Sequence, residues 1–172
     1  MPDESPSVSD WIDDVRQTLA TAVQRQMVSD VPLGAFLSGG LDSSAIVAYA
    51  REYTAERLQC FTIDFDKERL GTDGFVQDLP YAKQVAKHLD VDLHVVSVGT
   101  EMADNLARMV WQLDEPLADF SALNVMFISQ LARQHGIKVL LSGAGGDDLF
   151  TGYRRHRALG PDAYWDCLPR AL

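Results

Sequence analysis

The sequence predicts an α/β fold, an open parallel sheet with helices on both faces. Three observations carry this. Short apolar segments alternate with helical patterns, those segments are apolar throughout instead of at every second residue, and two glycine-rich stretches each begin where such a segment ends. Strands apolar on both sides are buried on both, as in parallel sheets sandwiched by helices. Open sheets of this class take their ligands beyond the carboxyl ends of the strands.

Taken in order, Ser9 is placed to cap a helix running to about Met27, with Trp11, Val15, Leu19, Val23 and Met27 as its apolar stripe. Val31 to Leu37 reads as a buried strand, and a helix follows from about Ser43 to Tyr53. Leu58 to Phe65 is a second strand, rich in β-favouring residues. Asp66 to Leu79 is a polar, glycine-containing loop. Pro80 suits the first turn of the next helix, which carries Ala82, Val85, Ala86 and Leu89 on one face. Asp92 to Val98 is a third strand. Thr100 is placed to cap a helix with Met102, Leu106, Met109, Val110 and Leu113 inward, and Ser121 opens a helix apolar almost all round and stopped by Gly136. Ile137 to Leu141 is the fourth strand. The expected sheet has Leu37, Ile63 and Leu141 on central strands.

With 172 residues, 47% of them hydrophobic, the chain is long enough for one domain with a substantial core. No apolar run is long enough to span a bilayer, and Met1-Pro2-Asp3-Glu4 does not begin a signal peptide, so a cytoplasmic protein without a membrane partner is expected. Cys60 and Cys167 match no redox or zinc spacing, and His88, His94, His135 and His156 are scattered. The formal net charge of -10 argues against nucleic acid as a partner. It also constrains any nucleotide site, which would need backbone N–H groups and a divalent cation to offset the repulsion.

Ser38-Gly39-Gly40-Leu41-Asp42-Ser43-Ser44 joins the first strand to a helix. Two glycines let the backbone bring N–H groups close to an anion, and the helix turns its positive end to the same place. The serine hydroxyls add donors, and Asp42 is suited to a magnesium ion bridging phosphates. The loop lacks the Gly-Lys-Ser/Thr of a Walker A sequence and the GxGxxG of a dinucleotide site. The competing reading is a plain strand-to-helix turn. The full segment resembles the pyrophosphate loop of the ATP pyrophosphatases, which adenylate substrates and release pyrophosphate.

The second stretch runs Ser142-Gly143-Ala144-Gly145-Gly146-Asp147-Asp148-Leu149-Phe150-Thr151-Gly152-Tyr153 and resembles the asparagine synthetase signature. Leu113-Asp114-Glu115-Pro116-Leu117-Ala118-Asp119 and Tyr81-Ala82 resemble the same family, so the likeness covers about Ser29 to Arg155. It implies a Rossmann-like adenine nucleotide alpha hydrolase fold, with residues 29–172 as the ATP-pyrophosphatase domain, incomplete at the C-terminus, and residues 1–28 as an N-terminal helix of that domain.

The resemblance assigns the adenine to the backbone at Leu37 and Ile63, and the rest of the nucleotide to Ser38, Gly39, Gly40, Asp42, Ser43, Ser44, Ser142 and Gly143. Asp42 and Asp147 are implied as magnesium ligands, and Asp42, Asp147 and Asp148 as the catalytic carboxylates. Helix capping is the competing role for Asp147 and Asp148. The implied reaction adenylates a carboxylate, normally the β-carboxyl of aspartate, and ammonia then displaces AMP to give an amide.

Three departures bear on turnover. Ala144 stands where the family has Glu or Asp, which loses that role or moves it to Asp148. The glutaminase domain with its cysteine nucleophile does not precede this sequence, so ammonia, either free or from a separate glutaminase domain, is the expected nucleophile and glutamine is not expected to serve as nitrogen donor. The lysine- and arginine-bearing segment that completes the family's site lies beyond Leu172. ATP binding with little aspartate-dependent pyrophosphate release is therefore expected, and Ala144→Glu alone is not expected to restore it. The alternatives are another ATP pyrophosphatase with a different acceptor, or a nucleotide-binding fragment without turnover. Arg154, Arg155 and Arg157 read as a solvated helix start.

Overall fold

The computed structural model describes residues 6–65, 78–115, 117, 119, 121–150 and 152–153. Arg154, Arg155, Arg157, His156, Cys167, Thr151 and residues 66–77 of the polar loop lie outside these. The elements are α1 (Val8–Gln26), β1 (Leu33–Phe36), α2 (Leu41–Glu52), β2 (Gln59–Phe65), α3 (Leu79–Leu89), β3 (Asp92–Val98), a 3₁₀ segment (Thr100–Asn105), α4 (Leu106–Gln112), α5 (Ser121–Gln134), β4 (Val139–Leu141) and α6 (Gly146–Leu149).

All four strands are parallel, in the order β3-β2-β1-β4. Gly34 pairs with both Gln59 and Leu140, which puts β1 between β2 and β4. Alternate residues serve opposite faces, and this is why the strands read as apolar throughout. Ala35, Leu37, Cys60 and Leu141 join Val23, Val47, Ala50, Ala82 and Ala86 under α1, α2 and α3. Phe61, with Phe36, Ile63, Val96 and Leu140 around it, packs with Ile128, Ala132 and Ile137 of the α5 side. A third cluster of Met109, Leu123 and Met126 joins α4 to α5. Helices therefore cover both faces, as the sequence predicts. Leu141 differs from expectation, because β4 is an edge strand among the described residues.

Several boundaries differ for identifiable reasons. Ser7, not Ser9, caps α1: its Oγ accepts the Asp10 N–H at 3.2 Å while Asp10 Oδ2 accepts the Ser7 N–H at 2.8 Å. The acid three residues on makes this reciprocal box possible. Only the second half of the predicted stripe packs, through Leu19, Val23 and Met27; Trp11 is 57% exposed and Val15 lies open as well. Thr100 does not cap an α-helix. The Gly99 carbonyl accepts the Met102 N–H at 3.2 Å, an i→i+3 bond that starts the 3₁₀ turn, and α4 begins only at Leu106. That delay turns Leu106 and Val110 outward while Met109 stays buried. On α5, Val125 is exposed, so this helix is not buried all round. Gly136 ends it with φ 77°.

Candidate functional site

The first glycine-rich loop leaves β1 at Leu37, which is fully buried and donates its N–H to the Phe61 carbonyl at 2.9 Å. The helix then starts at Leu41, two residues earlier than expected. Gly40 is its extended N-cap with no side-chain capping bond, so Leu41 and Asp42 already belong to the first turn. No side chain claims the first-turn N–H groups, which have no partner inside the helix. Twelve residues of α2 align their dipoles behind them. This arrangement is suited to an anion.

The serines brace the loop. Ser43 Oγ and Ser44 Oγ both donate to the Gly40 carbonyl, at 3.2 and 2.6 Å. The Ser38 and Ser43 hydroxyls lie 3.0 Å apart, Ser38 N–H donates to Ser43 Oγ, and Gly40 N–H donates to Ser38 Oγ. The expected hydroxyl donors thus hold the loop's own shape, and it is the backbone that is left to meet a ligand. Gly39 is the tight point. Its φ is +84°, and a Cβ there would overlap the backbone of Tyr81 and Ala82 at the start of α3. The Ala82 N–H is itself fixed by the Asp78 carbonyl at 2.9 Å, and burial pushes the Asp78 carboxyl above its ordinary range.

The second loop leaves β4, the neighbour of β1, and comes down on the same turn. A Cβ at Gly143 would lie 2.8–2.9 Å from the backbone and Cβ of Asp42 and from the Ser43 nitrogen; one at Gly146 would overlap the Asp42 carboxylate. The Asp42 carboxylate therefore rests on the backbone of Gly146, next in sequence to Asp147. Asp147 itself turns elsewhere: its Oδ1 occupies the space over Gly152, whose N–H donates to the Asp147 carbonyl at 3.0 Å. Asp148 is exposed, and the exposed Ser142 accepts the Ala144 N–H through its Oγ at 3.1 Å.

Ile63 stands apart from the loops. Its side chain joins the core under α5, and its strand continues past the last β1 pair, Phe36 with Phe61, so its backbone lies beyond the end of β1. The structure thus brings Ser38 to Ser44, Ser142, Gly143 and Gly146 together at one sheet end. It does not aim the Asp147 carboxylate at Asp42. Two contacts escape a reading by sequence: Tyr81–Ala82 against Gly39, and Gly146 against Asp42. The glycines and the Tyr-Ala pair are visible in the sequence, but their contacts span the fold.

The donor set suits magnesium better than a metal needing an all-protein cage. Among the described residues no group of three or more His, Cys, Asp or Glu side chains could hold an ion. Magnesium is commonly held by one or two carboxylates, with phosphates and water completing its shell. Asp42 offers one such carboxylate, and Asp147 on the touching loop offers a second only by swinging away from Gly152. No helix among the described residues is long and apolar enough to cross a membrane.

Comparison with known proteins agrees with this architecture. The chain is 37% identical over 147 residues to asparagine synthetase (glutamine-hydrolysing) 1 of Bacillus subtilis, covering 85% of this chain and 22% of that protein. It is 36% identical over 160 residues to a putative asparagine synthetase (glutamine-hydrolysing) 2 of Methanocaldococcus jannaschii, covering 91% of this chain and 30% of the relative. The chain thus spans between about a fifth and a third of these relatives' length. Among solved structures, a glutamine-dependent NAD+ synthetase from Acinetobacter baumannii in complex with ADP superposes with a TM-score of 0.51. At 19% identity, with 90% of this chain and 30% of that one covered, this likeness speaks for the fold alone. The profile of the asparagine synthase family matches residues 14–170, and the chain belongs to that family.

Proposed function

We propose that this chain binds magnesium-ATP at the two touching loops and serves as the adenylating part of an ATP-dependent amide ligase with aspartate as acceptor. The observation that carries the reading is the seating of Gly143 and Gly146 on Asp42, which joins two glycine-rich loops from neighbouring parallel strands around one uncapped helix start. The family match and its asparagine synthetase relatives support the reaction class. Residues 29–172 then form the nucleotide-binding domain, with α1 as a helix of the same domain.

The phosphates would lie along the backbone from Ser38 to Ser44, with Ser142 and Gly143 on the other side and the adenine against the backbone at Leu37 and Ile63. Asp42 and Asp147 would hold magnesium, which supplies charge neutralisation for the leaving pyrophosphate. An oxygen of the acceptor carboxylate attacks the α-phosphorus, the bond to the bridging oxygen of the β-phosphate breaks, and pyrophosphate leaves with its electron pair. Ammonia then attacks the acyl carbon, loses a proton and expels AMP. Ammonia would come from solution or from a glutaminase unit. Rate in such a transfer comes from alignment and fixed dipoles. The braced loop provides these without a covalent intermediate on the protein.

Calorimetric titration of magnesium-ATP into the chain is the test. Saturable binding is expected, and Asp42→Ala should weaken it at least about tenfold, or ~1.4 kcal/mol. A chain that takes up no magnesium-ATP overturns the proposal, and an Asp42→Ala variant binding as tightly as the wild type removes the metal role from Asp42.

A further inference from the structure

Each of the two carboxylates proposed as magnesium ligands rests over a glycine. Asp42 lies on Gly146 and Asp147 on Gly152, and in both cases a Cβ on the glycine would overlap the end of the aspartate side chain. Neither carboxylate has a hydrogen bond or an ion pair among the described residues. Their positions are therefore set by the space available, and leaving them breaks no bond.

The space over Gly152 is made by the way α6 ends. Leu149 and Phe150 donate their N–H groups to the Gly145 and Gly146 carbonyls at 3.0 and 2.8 Å, and the Gly152 N–H then reaches back to the Asp147 carbonyl at 3.0 Å. This backward closure, common where a helix ends, brings Gly152 against the Asp147 side chain. Gly152 is not among the positive-φ glycines, which are Gly39, Gly136 and Gly145. Its backbone conformation therefore accommodates a residue with a Cβ, and what the missing Cβ admits is the Asp147 carboxylate. A methyl there would strike Asp147 Oδ1 but stand 3.3 Å from the Asp147 Cα, so the movable end of the side chain yields before the backbone does.

We propose that the space over Gly152 is a rest position for Asp147, which keeps the second carboxylate away from Asp42 while the site is empty and releases it when magnesium-ATP binds. The inference rests on the reading of Asp42 and Asp147 as ligands of that ion. Two carboxylates side by side without a cation repel each other, the more so in a chain with a net charge of -10. Resting one of them over Gly152 relieves that repulsion in the empty site. The distance to be made up is short. Asp42 touches Gly146, and Asp147 begins one Cα step of about 3.8 Å further along. Rotation about the Asp147 side-chain bonds is the motion this asks for, with the backbone of α6 left in place. A ligand group that is in position only part of the time lowers apparent affinity in proportion. Gly152 thus sets how tightly the ion is held, and a side chain at that position should preform the site.

Gly152→Ala is the test, read by calorimetry of magnesium-ATP and, without nucleotide, by the electron paramagnetic resonance of free manganese(II), with circular dichroism to verify folding. A group in position roughly a tenth to a third of the time binds about 3–10-fold more weakly than one always in place. Gly152→Ala should tighten both affinities by a factor in that range. Asp147→Asn should weaken both, and adding Gly152→Ala to it should change nothing, because the methyl acts only through the carboxylate. A Gly152→Ala variant that folds but binds no tighter than the wild type overturns the proposal, as does an equal gain in the Asp147→Asn background. If no form of the chain takes up magnesium-ATP, the proposed function fails. The manganese titrations then still decide whether Gly152 holds Asp147 off the ion, and the absence of a gain there overturns this proposal too.

Discussion

At Gly39 the backbone enters the left-handed region while the start of α3 presses on the side where a Cβ would stand. Gly39→Ala therefore meets two costs, about 1–3 kcal/mol of backbone strain and a collision with the Tyr81–Ala82 backbone, which is not a flexible neighbour. We expect a fall in the urea midpoint together with loss of nucleotide binding, since the loop cannot keep its shape. His94 offers a different residue-scale measurement. Its ring stacks on Phe61 with centroids 5.0 Å apart, sits 3.9 Å from His135, and shares a 2.5 Å hydrogen bond with Gln59 through Nε2. Burial holds it below the ordinary histidine range, His135 adds to the depression, and Asp92 opposes it. The folded state then takes up this proton less readily than the unfolded chain. The stabilisation is present above the unfolded pKa of about 6.5 and is lost as pH falls through the lower folded value. Urea midpoints should decline from pH 7 toward pH 5, and His94→Phe should flatten that slope. Chain-distant contacts such as these are what the sequence alone does not disclose. The glycines and histidines are plain to read, while the residues pressing on them come from elsewhere in the fold.

Among the elements, α1 is two half-helices in energetic terms. Its second half buries Val23 in the main core, whereas its first half rests on the Ser7–Asp10 box. Ser7→Ala removes a cap worth about 1 kcal/mol, but the turns it releases pack on little, so fraying is expected without global unfolding. Hydrogen exchange should quicken over residues 8–15 with the urea midpoint unmoved. Val23→Ala should instead lower the midpoint, by roughly 1–3 kcal/mol of lost burial and cavity. The stripe Trp11, Val15, Leu19, Val23 and Met27 reads as one amphipathic face because periodicity reports which side is apolar, not what covers it. The same blindness placed Val110 inward. β3 has the expected bounds, Asp92 to Val98. The two glycine-rich loops were legible because glycine clusters directly after apolar strands leave few alternatives.

For the whole molecule, the proposed turnover depends on more than the shape of the proposed nucleotide site. At position 144 the exposed methyl of Ala144 can neither take a proton nor orient an amine. A missing positioned acid–base group typically costs ~10²–10⁴-fold. Magnesium-ATP binding should therefore be accompanied by aspartate-dependent pyrophosphate release slower by that order than in relatives with a carboxylate there, as measured by coupled pyrophosphate assay. Release at the rate of those relatives would assign the role to another group, with Asp148 the first to substitute. The strand order also sets a timetable. β1 meets β2 after a short excursion of the chain, but it meets β4 only when segments about 100 residues apart close on each other. Closing the longer loop costs more entropy before any contact repays it. The meeting of the two glycine-rich loops is thus the last thing the chain makes: a half-folded molecule holding β1, β2 and β3 has a hydrophobic core but lacks the second loop, and a ligand that bridges both loops, as proposed for magnesium-ATP, would trap only chains that have finished folding.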